Sequence, residues 1–216
     1  MNTDDALVSQ TCLQASTNLK SFYHTLDQRD YLTDFSLAAD SQTHFSKLIQ
    51  TMLEQPPTVS GETNDLFTLL QNTAHFFQIF GKDNILLLKS IINNEQNEIE
   101  HLAATLYTLT RTPSCSDVSQ LIQLSPEGLY DYAGFFLNTM AGRLYLFRRD
   151  SFSRLLVNYY SVLIMNDANL TNRNRHGIHL LPAITALISD LEQSGETLRY
   201  REEYLDQLYL LQEQYQ

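Results

Sequence analysis

The stretch NRNRHGIHLLP, Asn172 to Pro182, places Arg173, Arg175, His176 and His179 within seven residues. Two histidines at i and i+3 share one face of a helix, where they suit a divalent metal. Two arginines just ahead of a helix start, with its free N–H groups, suit an anion. The chemistry therefore depends on where the helix begins. Gly177 is a poor helix interior, and Pro182 biases Leu181 away from helical angles. A start at Pro182 leaves both histidines in loop. A start near Ile178 keeps Pro182 in the tolerated first turn. Either way the basic cluster precedes a helix, and the favoured reading is a solvated loop feeding it. Arg173, Arg175, His176 and His179 stand as anion-binding candidates, not as a catalytic centre.

Glu98 and His101 form a Glu-x-x-His pair, the spacing that carboxylate-bridged di-metal bundles use. Such a site needs two copies of the motif, and the sequence holds one. The apolar face of this segment centres between Leu102 and Leu106, with Glu98 at its margin and His101 well off it. The expectation is a solvated face and no metal. His24, His44 and His75 read as scattered surface or flanking histidines. There is no glycine-rich phosphate loop, no GxSxG and no HExxH. No catalytic residue and no cofactor is assigned.

Two charges fall on apolar faces. Glu95 lies between Ile91/Ile92 and Ile99/Leu102, and Arg143 lies alongside Tyr132, Phe136 and Phe147. An unpaired buried charge costs several kcal/mol, comparable with a protein's whole net stability. Both are expected to be mostly buried: paired, with each other among the options, or lining a pocket, unless one snorkels to the surface, which the long stem of Arg143 makes easier. The segment 126–149 is apolar almost all round, with a narrow polar stripe of Asp131, Asn138, Gly142 and Arg149. Gly134, Ala141 and Gly142, on and beside that stripe, permit close helix approach, the alternative being a gap that admits a ligand. In the last segment Leu198, Tyr200, Tyr204, Leu205, Leu208, Tyr209, Leu211 and Tyr215 cover about half of a helix circumference. Arg201 is the one charge in that arc. Tyr200, Tyr204, Tyr209 and Tyr215 are interface candidates, because tyrosine joins an apolar body to a polar tip. The alternative is that the helix wedges between two others.

These residues need helices to hold them. Seven Gly and 5 Pro in 216 residues point to long helices and few turns. Apolar periodicity predicts helices over about 4–26, with Val8, Cys12, Ala15, Leu19, Phe22, Tyr23 and Leu26 on one face, and over 41–54, 64–80, 83–109, 126–149, 151–165, 182–195 and 197–215, with a short one around 118–124. Gly81 reads as a C-cap. Ser125-Pro126-Glu127 reads as a helix start. The segment EQPPTVSGE is the clearest linker. The fold class is therefore all-α, a multi-helix bundle or short array of roughly nine helices. Residues 1–55 are set apart as an N-terminal helical pair, and 62–216 as the main bundle.

The formal net charge is −11. Residues 1–100 carry 13 acids against 5 bases, or −8, and residues 101–216 carry 12 against 9, or −3. That balance repels phosphate backbones and argues against nucleic acid. The longest aliphatic run, Ile85 to Leu88, is far short of a membrane span. Cys12 and Cys115 lack a spacing signature, so neither a disulfide framework nor a zinc motif is expected. The acidic N-terminus has no apolar core of a signal peptide, which predicts a cytoplasmic protein. The expected function is a non-enzymatic cytoplasmic binding module: an adaptor, a chaperone or the sensor part of a regulator. It would hold a peptide, protein or small ligand between helices, a second copy of the chain included. The rival is a helical-bundle enzyme or a carrier of small apolar ligands, with its pocket around Glu95 and Arg143.

Overall fold

The computed structural model describes residues 3–37, 40–57, 66–112, 115, 121–122, 124, 126–139, 151–175, 177–193 and 198–216. Among them the regular structure is helical throughout, as the periodicity predicts. The helices are α1 (Thr3–Gln28), α2 (Tyr31–Asp34), α3 (Ser41–Glu54), α4 (Leu66–Asn94) and α5 (Gln96–Arg111). They continue with α6 (Pro126–Thr139), α7 (Ser151–Leu170), α8 (Leu180–Gln193) and α9 (Arg201–Tyr215). None is long and apolar enough to cross a membrane.

The chain divides into two compact units. Unit 1 is Met1–Gln55 with Phe77–Gly128, and unit 2 is Pro56–Phe76 with Leu129–Gln216. Residues 1–55 thus share a unit with a later segment.

In unit 1, α1 packs along α5 and against α3. The expected stripe of α1 is the core: Ala15, Leu19, Phe22, Tyr23 and Leu26 are buried. Val8, at the open end of that stripe, is exposed. Leu87, Ile91 and Leu109 complete the same core. Local chemistry sets the helix ends. Asp40 caps α3 by accepting from the Thr43 N–H at 2.9 Å and the Thr43 hydroxyl at 2.8 Å. Those bonds, the backbone one first, hold the Asp40 carboxyl below its ordinary range. Ser36, with φ 57°, ends α2 in a left-handed cap; the N–H groups of Leu37 and Ser36 return to the carbonyls of Leu32 and Thr33.

Two breaks interrupt the long central helical stretch. Gly81 has φ 74° and ψ 159°, non-helical angles that glycine adopts without a Cβ penalty. That break is where the sequence puts a helix end. The second was not legible: Glu95, at φ −127° and ψ 38°, separates α4 from α5. The continuous helix expected over 83–109 is therefore two helices meeting at a corner.

In unit 2, α7 is the central element. Twelve of its twenty side chains are buried, including Leu155, Val162, Met165 and Ala168. It packs on α8, and α8 packs on α9. The Tyr159 and Tyr204 rings lie 4.0 Å apart between centroids, joining α7 to α9 as well. Phe76 of α4 meets Phe135 and Phe136 of α6 at 5.9 and 5.8 Å.

Candidate functional site

Glu95 is buried, 6% exposed, as its place in an apolar stripe predicts. Among the described residues its ionic partner is Arg29; Arg143, Ala141 and Gly142 lie outside the described residues. Oε1 of Glu95 accepts from the Arg29 guanidinium and from the Tyr31 hydroxyl at 2.9 Å. Tyr31 is itself buried, and burial is the main cause that raises its hydroxyl pKa, so it stays a donor. Arg29 sits just past the end of α1, and Tyr31 opens α2. The carboxylate therefore ties the α1–α2 corner to the α4–α5 corner. Arg29 keeps 56% of its side chain in solvent, so its charge is only partly desolvated. This arrangement locks two helix corners. It is a buried charge with its hydrogen bonds made inside unit 1.

The opening basic stretch behaves partly as expected. Asn172, with φ 55°, ends α7 in a Schellman cap: the Arg173 N–H donates to the Ala168 carbonyl at 2.7 Å, and the Asn172 N–H to Asn169 at 3.2 Å. Asn174 then bridges the loop, donating to the Asn169 side chain and the Ile178 carbonyl and accepting from the Ile178 N–H. The loop is thus ordered by its own asparagines. It feeds α8, which starts at Leu180 with Pro182 in the first turn. His179 is exposed, and His176 lies outside the described residues.

Arg175 corrects the picture of a purely solvated loop. One guanidinium nitrogen donates to both carboxylate oxygens of Asp131, at 2.8 and 2.6 Å. Asp131 lies on the narrow polar stripe of α6 and is only 7% exposed. The anion that Arg175 meets is a carboxylate of its own chain. Next to it, burial first and the Asp131 charge second push the Tyr132 hydroxyl up to about 12. Arg175→Ala should cost about 1–3 kcal/mol, because it strips a charged donor from a buried acid. Arg173→Ala should cost under about 0.5 kcal/mol, as for an exposed side chain. Urea unfolding of the two variants decides; equal effects would mean that the Asp131 contact carries no stability.

The tyrosines of the last helix turn mostly inward. Tyr204 is buried against Tyr159. The Tyr215 hydroxyl donates to Asn166 and accepts from Asn169, both at 2.9 Å. Tyr209 is exposed and hydrogen-bonded to Glu192 at 2.6 Å, a contact that raises its hydroxyl pKa. Tyr200 is half-buried under the Arg199 guanidinium, 5.3 Å from the ring centroid. Arg201, the odd charge of that arc, caps another helix: its Nε donates to the Leu191 carbonyl at 2.8 Å, in the last turn of α8.

Glu98 and His101 are both exposed on α5. Among the described residues no group of three His, Cys, Asp or Glu side chains is placed to hold a metal. His24 is exposed, while His44 is half-buried with a ring nitrogen 2.7 Å from the Asn84 side-chain oxygen. The cysteines contradict the expectation outright: Cys12 and Cys115, 103 residues apart, are joined in a disulfide. No sequence signal could have found it, because the two positions are adjacent only after α1 lies on α5.

Large apolar side chains are exposed on α1 (Leu7, Leu13), α7 (Leu170) and α9 (Leu210) as well as on α4, where two of them fall on an uncharged stretch. Phe67 and Leu70 leave 65% and 54% of their surface to solvent, and Ala74 beside them is exposed. At i, i+3 and i+7 they form one stripe. The segment around them, Leu66 to Phe80, contains no Asp, Glu, Lys or Arg. No protein-family model matches the chain, and no curated protein and no solved structure matches it.

Proposed function

We propose that the protein is a non-enzymatic helical binding module, an adaptor or chaperone, that takes an apolar segment of a partner protein or peptide. The observation that carries this reading is the Phe67, Leu70 and Ala74 stripe on an uncharged stretch of helix. Outward phenylalanine and leucine at helical spacing are the anchors that helix-in-groove recognition uses. A face without charges favours an uncharged partner surface, since a charged one would lose hydration with nothing to replace it. The tyrosine face of α9 supports the reading less, because Tyr204 and Tyr215 already make contacts within unit 2.

The test is site-specific photocrosslinking in the protein's own host. A benzophenone amino acid in place of Phe67 should give one defined adduct, and Leu70→Glu should abolish it. The same group in place of Gln214, an exposed residue of α9, is the control. Adducts no different from those at Gln214 would sink the proposal. An adduct of twice the chain mass would identify a second copy as the partner.

A further inference from the structure

The Cys12–Cys115 disulfide has a chemical history that the fold constrains. Its two residues are the only cysteines in the chain. Cys12 lies in the first half of α1, and Cys115 lies just past the end of α5. Cys115 is 7% exposed and belongs to the unit 1 core, with Cys12 half-buried against it. The neighbouring contacts are made by α1 and α5 themselves: Asn18 donates to Thr105 at 3.1 Å between these two helices. In folded unit 1 Cys115 is therefore closed to reagents and Cys12 half closed. Protein disulfides form and persist in oxidising compartments and are rare where glutathione and thioredoxin keep thiols reduced.

We propose that Cys12 and Cys115 are oxidised by a disulfide-donating protein oxidoreductase while unit 1 folds, and that the protein works in an oxidising compartment. This runs against the cytoplasmic placement expected from the acidic N-terminus. The chemistry is thiol–disulfide exchange. One cysteine thiolate attacks a sulfur of the donor's disulfide, forming a mixed disulfide and releasing a donor thiolate. The second cysteine thiolate attacks the chain's sulfur in that mixed bond and expels the donor's other thiolate. The chain loses two electrons and two protons, and the donor leaves as a dithiol. Burial gives the step an order. The donor reaches both sulfurs before α1 closes on α5, and afterwards the same packing protects the bond from small reductants.

The experiment uses the full chain in its own host. Cells are quenched in acid, free thiols are alkylated under denaturing conditions, and the protein is mapped without reduction. The expected result is a linked peptide pair containing Cys12 and Cys115 in nearly every molecule, lighter by two hydrogens than the separate thiol peptides. Both cysteines recovered as alkylated thiols would overturn the proposal. A second measurement tests the shielding. In purified protein, dithiothreitol should leave the bond intact under native conditions and cleave it in denaturant. Rapid cleavage of the native protein would show that the sulfurs are open, and that no order of oxidation and folding is imposed. Neither result depends on the α4 stripe or on its partner.

Discussion

Replacing Cys12 and Cys115 together by alanine is expected to remove up to about 4.7 kcal/mol of stability from unit 1. The bond spans 103 residues, and a loop of that size loses much entropy in the unfolded chain when it is closed. The native contacts between α1 and α5 survive the change, so the loss acts through the unfolded state. It is a large share of the net 5–15 kcal/mol, roughly, that holds an ordinary domain together. Urea unfolding monitored by helix content measures it, and dithiothreitol added to the unfolded wild-type chain before refolding should reproduce it. If the two units unfold in separate steps, only one step should move. A loss below about 1 kcal/mol would mean that native-state strain or structure kept by the unfolded chain offsets the loop entropy.

The second large effect is an asymmetry at Glu95. Arg29→Ala takes the cation away from a buried carboxylate and leaves the Tyr31 hydroxyl donating to it. Removing one partner of a buried pair costs about 3–5 kcal/mol, and the partial exposure of Arg29 argues for the lower end. Glu95→Gln is different. The amide oxygen still accepts from Tyr31, and Arg29, more than half exposed, regains water. That change should cost about 1 kcal/mol, the order of a neutral hydrogen bond. The double variant should then be close to Glu95→Gln alone, since the stranded charge is gone. Chemical denaturation of the three variants forms a double-mutant cycle. Equal costs for the two single changes, or no coupling, would show that Glu95 draws its support from elsewhere.

Much of the helical frame was legible because it is local. The period of apolar residues along 4–26 names the buried face of α1, and Ala15, Leu19, Phe22, Tyr23 and Leu26 occupy it. Helix α3 has the ends its sequence predicts, Ser41 and Glu54, and the chain breaks at Gly81 as a glycine C-cap implies. Periodicity also marked Glu95 as a buried charge, because its position on the wheel depends only on its neighbours. It could not name Arg29, 66 residues away, nor show that the helix breaks at Glu95 itself.

The same limit explains the tyrosines and the cysteines. An apolar arc on α9 reads alike whether α7 and α8 cover it or a partner does; only the placement of Tyr159 against Tyr204 decides. Arg201 looked misplaced within its own helix, and it is a cap for the carbonyls of a different one. Arg175 looked solvated within its own loop, and it meets an acid 44 residues earlier. Cys12 and Cys115 looked like two unrelated thiols until α1 lay along α5. The helices, their buried faces and the acidic balance follow from backbone propensity, spacing and composition, all of which are local properties of the chain. The tertiary structure decided which charges, rings and sulfurs meet, because contacts between residues far apart in the chain exist only once helices have packed, and no local period encodes their partners.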